Sequence, residues 1–489
     1  MTTLGKEMRE SDISNIAPGQ RLSLGFVGRS ARLLDVIVFS CLLGLIVLTV
    51  IPYGMVDVWW EAIFECVVFA ITAIWILEIL FRGRWEVRRL IILLPLVLIT
   101  AFAFAQTIEL PGAWLAIEKG RLTAQHTLSI DRYQTFLTAR KALALTVFLG
   151  LLLLHTSTPT RFRRLIRTVI GLGLASALFG ILRQLLQSPD SQTGFVLPFL
   201  FYRAGFGQFI SPNPFAYLME MVFALLAGLV LGGGIRRNHV LIYLALAAFV
   251  WTALVLSNSR GGIFGLAVQA GFLLFVSLSW YSARRLSPSD GKRHQWLRFV
   301  QSSVLIRVLM TVLMIITLIA GVFWMGGEKF STRVSELNAN QEPIDALSRA
   351  AIWRSSWELI KHNPGTGVGF GSYFLAIPEY QKGAGRIKLE QAHNDYLDLA
   401  ANGGVVAVGL AGWFALMIIR RARYSLQSAD PYRRAACLGA AAGILSVSAH
   451  SLVDFGLQVT GIAVVFGVLV VIAIADGRVE SISGTQKKR

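Results

Sequence analysis

Roughly twelve stretches of about 17 to 25 predominantly apolar residues, each long enough for a helix to cross a hydrocarbon core, leave this chain little choice of architecture. They begin near Leu33, Ile63, Leu90, Ala142, Leu165, Pro214, Val240, Ile263, Val304, Tyr396, Cys437 and Leu457. The expected fold is therefore all-α, a polytopic integral membrane protein with about twelve transmembrane helices. A polar tail over residues 1–32 precedes a transmembrane domain over 33–476, and a second tail covers 477–489. Composition agrees, with 55% of residues hydrophobic and only 15% charged.

A net charge of +18 raises the question of nucleic acid, and the placement of the basic residues answers it. Arg82, Arg84, Arg88 and Arg89 follow the second span, Arg161, Arg163, Arg164 and Arg167 the fourth, and Arg236 and Arg237 the sixth. Arg284, Arg285, Lys292, Arg293 and Arg298 follow the eighth; Arg420, Arg421, Arg423, Arg433 and Arg434 follow the tenth. Every even-numbered span ends in a basic cluster, which is a positive-inside pattern with both termini in the cytoplasm. The charge reads as a topology signal with membrane lipids as its partners, and no nucleic acid is expected. The first 32 residues contain no apolar run followed by a small-residue cleavage site, so they read as a cytoplasmic tail. Cys41, Cys66 and Cys437 fall inside spans, where they suit packing, and no disulfide or metal framework is visible.

On this topology the largest external loop covers residues 326–395, between the ninth and tenth spans. Loops of that length are seldom mere connectors. Its segment "SRAAIWRSSWELIKHNPG" sets Ile352, Trp353, Trp357 and Ile360 at helical spacing and stops at Asn363-Pro364-Gly365. Two placements stay open for this helix: along the membrane interface with tryptophans at headgroup depth, or packed on the bundle. The glycine-rich "GTGVGFG" that follows lacks nucleotide-fingerprint spacing and a preceding strand, so it reads as a flexible turn.

Three polar constellations converge on the external side. Arg203 lies in "YRAGFGQFISPNPFAYL" ahead of the sixth span, Arg260 in "SNSRGG" between the seventh and eighth, and His393 at the head of the tenth in "HNDYLDLAANGG". A lone arginine near a helix end is commonly a snorkelling anchor. For Arg260 a second reading stands beside it. With Gly261 and Gly262 leaving amides open at a helix N-terminus, its fork suits a phosphate or diphosphate. His393, just before a helix N-terminus, would meet the positive end of the dipole, which suits a neutral ring able to accept a proton. Asn394 or Asp395 can cap that helix. A purely structural histidine is the competing reading. Glu61, Glu65 and Glu220 also lie near the outer face as candidate bases or sugar-orienting groups, and His450 and Asp454 suit packing or a hydrogen bond to His393.

Four blocks in order, "LSNSRGGIFGLAV", "SRAAIWRSSWELIKHNPGTGVGFGSY", "AHNDYLDLAANGGVVAVGL" and "HSLVDFGLQV", resemble the signature blocks of the bacterial O-antigen ligase and polysaccharide polymerase superfamily. The resemblance covers residues 202–467. It implies a GT-C-like, metal-independent, inverting glycosyltransferase of the inner membrane with its active site facing the periplasm and no cofactor. The donor would be a glycan on undecaprenyl diphosphate, and the acceptor lipid A-core or a growing glycan. It further implies His393 as catalytic base and Arg203, Arg260 and Arg349 as diphosphate-binding groups, with Glu220, Asp395 and Asp454 as secondary candidates. The family's proline-asparagine pair reads Pro212-Asn213-Pro214 here, and the second proline leaves the local backbone open. No D-x-D pair occurs in the chain, which argues against metal-dependent polytopic transferases. The blocks do not separate ligase from polymerase. Two rivals of another class are a lipid-linked saccharide transporter or flippase and a scaffold of an export complex. Transporters place their sites near the midplane on broken helices, often with repeated halves.

The topology predicts that cysteines introduced at positions 120, 190 and 375 react with a membrane-impermeant thiol reagent from outside intact cells, whereas those at 86, 290 and 428 do not. Reversed labelling would place the three constellations on the cytoplasmic side.

Overall fold

The structure, a computed structural model, describes residues 18–83, 87–109, 127–186, 205–285, 349–381 and 389–480. Among the described residues all regular elements are helical: α1 (Pro18–Val50), α2 (Val58–Arg82), α3 (Leu94–Ala105), α4 (Arg132–His155), α5 (Pro159–Leu186), α6 (Pro212–Leu231), α7 (Val240–Leu256) and α8 (Arg260–Arg285). They continue with α9 (Arg349–His362), α10 (Asp395–Leu426), α11 (Pro431–His450) and α12 (Thr460–Ile474). Every expected span except the ninth coincides with one of α1–α8 or α10–α12. The ninth, starting near Val304, lies outside the described residues, as does Arg203. Seven helices are long and apolar enough to cross a membrane, and three shorter apolar ones cover Leu90–Ala105, Arg260–Val276 and Thr460–Ile474. This is the architecture of a polytopic membrane protein. The three cysteines are free thiols, with Cys437 buried and Cys66 exposed.

The bundle is built around α6. Of its apolar window 83% is buried, against 28% for α7 and α10, which turn most of their surface outward. Its closest partner is α11, whose sequence "RRAACLGAAAGILSVSAH" is too rich in small residues to stand among the apolar spans. Small residues permit close approach, and in lipid, where apolar contact with a neighbouring helix gains little over contact with acyl chains, close packing is what drives association. A β-carbon on Gly228 would lie 2.2 Å from the Gly439 backbone, so the two helices cross glycine on glycine.

Ion pairs tie the outer helices at both ends. At one end Lys141 of α4 reaches Glu61 of α2 at 2.5 Å and donates to the Gln458 carbonyl at 2.8 Å, while Arg140 pairs with Glu65. Glu61 and Glu65 are thus held by cations rather than free to act as bases. At the other end Asp35 of α1 accepts from Arg161 at 2.7 Å, and Arg82 bridges Asp35 and Glu78 at 3.3 and 3.0 Å.

The loop helix α9 packs on the bundle. Ile352, Ser356 and Leu359 face inward against Val368, Tyr373 and Ile377, whereas Trp357 is exposed. Burial pushes the Tyr373 hydroxyl above its ordinary range, so it stays protonated and shares a 2.7 Å hydrogen bond with Ser356. The glycine segment is a turn, as expected, but a tightly bonded one. Val368 and Gly369 donate to the carbonyls of Ala401 and Asn402 at 2.9 and 3.0 Å, Ile130 donates to Val368, and Gln106 bonds both Thr366 and Phe370. It docks where α10 kinks at Gly404, whose φ of +58° and ψ of −160° suit only glycine. Val405 closes the junction by donating to the Pro364 carbonyl at 2.9 Å.

Gly404→Ala meets both an unfavourable backbone and the Gly365 carbonyl oxygen 2.2 Å from its new carbon. We expect a loss of about 1–3 kcal/mol, read as a lower melting temperature in detergent. Gly409→Ala on the same helix, with nothing within 4 Å, leaves melting unchanged.

Candidate functional site

Two helix starts come together at the end of the bundle that carries His393. The first is that of α8. Ser259 caps it: its hydroxyl accepts from the Gly262 N–H at 3.2 Å and donates to the Asn213 side chain at 2.8 Å. Asn258, at φ +57°, makes the reversal that brings Ser259 into place. Asn213 sits in the first turn of α6, where its two flanking prolines cost no helical hydrogen bond, so the second proline leaves the backbone regular. Arg260 projects exposed from the first turn of α8.

The glycines after Arg260 do not serve as an open amide cradle, contrary to the sequence expectation. Gly262 N–H is already bonded to Ser259, and a β-carbon on Gly261 would lie 2.2 Å from His450 Nε2. One on Gly265 would lie 2.5 Å from a Glu220 carboxylate oxygen. Small residues are needed there because α8 rests directly on a buried polar pair.

That pair is Glu220 of α6 and His450 of α11, both without solvent exposure and joined at 2.7 Å through Nδ1. The other Glu220 oxygen accepts from the Ser446 hydroxyl at 2.7 Å. The Tyr217 ring stacks on the imidazole at 3.8 Å and an angle of 4°. Glu220 is therefore enclosed and cannot itself touch a sugar.

The second helix start is that of α10. Asn394, not Asp395, is its cap, accepting from Tyr396 and Leu397 N–H at 3.0 and 3.1 Å while its amide donates to the Leu452 carbonyl at 2.8 Å. Asp395 anchors the segment after α11: its N–H donates to the Ser451 carbonyl at 3.0 Å, and its carboxylate accepts from Leu457 N–H at 3.2 Å. These bonds hold His393 at φ +50°, a left-handed conformation that a residue with a β-carbon adopts at a cost of about 1–3 kcal/mol. Strain of this kind gathers at functional positions because the surroundings must enforce it.

The His393 ring lies against the Phe455 ring at 4.9 Å, with its side chain 37% exposed, and its Nδ1 faces Asp454 Oδ1 at 3.7 Å. The other Asp454 oxygen faces His450 Nε2 at 3.9 Å. His393, Asp454, His450, Glu220 and the start of α8 thus form one connected group drawn from α6, α8, α10 and α11. Arg349 is exposed at the first residue of α9 and is not among these contacts, and Arg203 lies outside the described residues. The pairing of Glu220 with His450 had no sequence signal, since the two are 230 positions apart; only the i, i+4 spacing of His450 and Asp454 hinted at a shared face.

Among the described residues, Asp35, Glu78 and His155 are grouped closely enough to ligate a metal, at the opposite end of the bundle. Both carboxylates there are already engaged by Arg161 and Arg82.

Residues 242–414, from the start of α7 to the middle of α10, match a protein-family model described as O-antigen ligase. The matched stretch includes Arg260, Arg349 and His393. It bears out the resemblance to the O-antigen ligase and polysaccharide polymerase superfamily and supports a glycosyltransferase-type membrane enzyme acting in lipopolysaccharide biosynthesis. No curated protein matches the chain.

Gly261→Ala inserts a carbon against a stiff buried ring, and we expect overpacking of about 1–3 kcal/mol, seen as a lower melting temperature in detergent. Gly271→Ala on the same helix, with open space around the new carbon, leaves melting unchanged.

Proposed function

We propose that this chain is an inverting, metal-independent glycosyltransferase that moves a glycan from undecaprenyl diphosphate to an acceptor hydroxyl at the periplasmic face of the inner membrane. The acceptor is lipid A-core or a growing glycan chain. The full chain has about twelve GT-C-like spans, with both termini in the cytoplasm. One observation carries the reading: a half-exposed histidine in a strained conformation, backed by a buried carboxylate, at the same end of the bundle as the exposed Arg260.

The chemistry needs a base and an anion receptor. The acceptor oxygen attacks the anomeric carbon as the glycosidic bond to diphosphate breaks, with inversion at that carbon. The hydroxyl proton passes to His393, and the negative charge that develops on the departing diphosphate is met by Arg260, Arg203 and Arg349. With Nδ1 turned to Asp454, the Nε2 nitrogen is left for the acceptor. Asp454 then orients the ring and stabilises the imidazolium that forms, the part a carboxylate plays behind a catalytic histidine. Three arginines meet the diphosphate charge without a metal. A transporter is the weaker reading, because His393, Asp454 and the Arg260 turn gather at one end of the bundle and not at mid-depth.

Purified enzyme with lipid-linked donor and acceptor tests this directly. His393→Ala should lose about a hundredfold to ten-thousandfold in turnover. Arg260→Lys keeps the charge but not the planar fork, and should fall strongly while the protein still folds. His362→Ala, on the exposed end of α9, should stay within a few-fold of wild type. Turnover by His393→Ala near wild type would overturn the base assignment, and near-normal transfer by Arg260→Lys would return that residue to an anchor. Deleting the gene separates the two acceptors: lipopolysaccharide without polymer marks a ligase, and chains capped at one repeat unit mark a polymerase.

A further inference from the structure

The buried His450 has no direct access to substrate, yet its geometry is not that of a packing residue. Nδ1 meets the Glu220 carboxylate at 2.7 Å, and Nε2 faces Asp454 Oδ2 at 3.9 Å without any hydrogen-bond partner. His393 Nδ1 is in the same condition, buried, unpartnered and 3.7 Å from the other Asp454 oxygen. One carboxylate therefore sits between two imidazole nitrogens that both lack a bond. The gaps are too short to hold a bridging water, and a shift of about 1 Å would bring either to hydrogen-bond length. Polar contacts of this kind are often long before substrate binds and tighten afterwards.

We propose that His450 is a positioning residue for glycosyl transfer, held as an imidazolium between Glu220 and Asp454 so that Asp454 is fixed in place to orient His393. A ring with a carboxylate before each nitrogen has bonds to both only if both nitrogens carry hydrogen. Glu220, His450 and Asp454 then sum to a single negative charge behind His393. That charge is neutralised when His393 takes the acceptor proton, while the other carboxyl groups near His393, Asp395 and Asp398, keep their own bonds to Leu457 and to Asn402 and Gln458.

The other groups around His450 fit this balance. Tyr217 stacks on its face, and Ser446 bonds only the far Glu220 oxygen. Asp395 bonds Leu457, while α8 contributes backbone at Gly261 with Arg260 beside it. Since Gly261 presses on the same ring, the arginine that meets the diphosphate and the histidine that meets the acceptor are referenced to one buried imidazole.

The inference rests on the reading of His393 as the base, and the experiment separates the two. In full-length purified enzyme, His450→Asn retains an amide at the position of Nδ1, facing Glu220, but cannot reach Asp454. It should lose about tenfold to a hundredfold in kcat, less than removal of the base itself, with donor KM within a few-fold. Removing the positive charge leaves Asp454 to act on His393 alone, so the acid limb of the kcat profile should move to higher pH. Asp454→Asn should move it to lower pH. In the Asp454→Asn background, His450→Asn should cost nothing further, because residues acting in series are not additive. His450→Gln, whose amide reaches the Nε2 position, should recover part of the rate, and it takes the place of the asparagine variant if that one does not fold. An unshifted profile, or losses that multiply in the double variant, would overturn the role of His450 while His393→Ala remains inactive. Activity in His393→Ala would instead remove the reading beneath it.

Discussion

A carboxylate and an imidazole shut away from water, Glu220 and His450, are the contact on which the rest of this site depends. Burying two ionisable groups is costly, and removing one partner of such a pair typically costs about 3–5 kcal/mol. The protein meets that cost with a close bond, a hydroxyl from Ser446 and a stacked tyrosine. In return α6 and α11 acquire a fixed register at the end of the bundle where two further helices begin. The start of α8 lies on the imidazole through Gly261, and the start of α10 is bonded to the segment that follows α11. Asp454 and the start of α8 adjoin this pair directly, and His393 is reached through Asp454.

The transmembrane helices were largely legible in the sequence because the bilayer enforces a simple rule: apolar length becomes helix. Among the described helices α3, α8 and α12 are apolar but short, and α11 falls below the apolar measure because its interior is made of small residues. The convergence of Arg260 and His393 was legible from alternating topology alone. What the sequence could not show is which polar groups touch. Glu61, Glu65 and Glu220 look alike in sequence, yet two are paired with cations on α4 and the third with a histidine on α11. The glycines after Arg260 look like an anion cradle, yet they are the imprint of side chains from other helices. Pairings across two hundred residues leave no local trace in the sequence.

The helix α9 and its glycine turn follow a different logic from the bundle. The helix α9 buries Ile352 and Leu359 in a small cluster of its own, and the glycine turn beside it is bonded by backbone groups to Ile130, just ahead of α4, and to α10. Backbone bonds fix position without demanding particular side chains. The surface of α9 can vary while its attachment to α10 stays the same.

The crossing of α6 and α11 at Gly228 and Gly439 bears on how the protein is made. Since α11 is held by close fit rather than by apolarity, it has little to retain it in lipid until its partner is present. It emerges late from the ribosome, about two hundred residues after α6. His450 rides on its last turn, so the electrostatic heart of the site arrives only when this late helix docks. A nascent or truncated chain would already hold Arg260 and α9, yet lack the buried partner of Glu220. The buried pair behind His393 is thereby completed only once this late helix has docked.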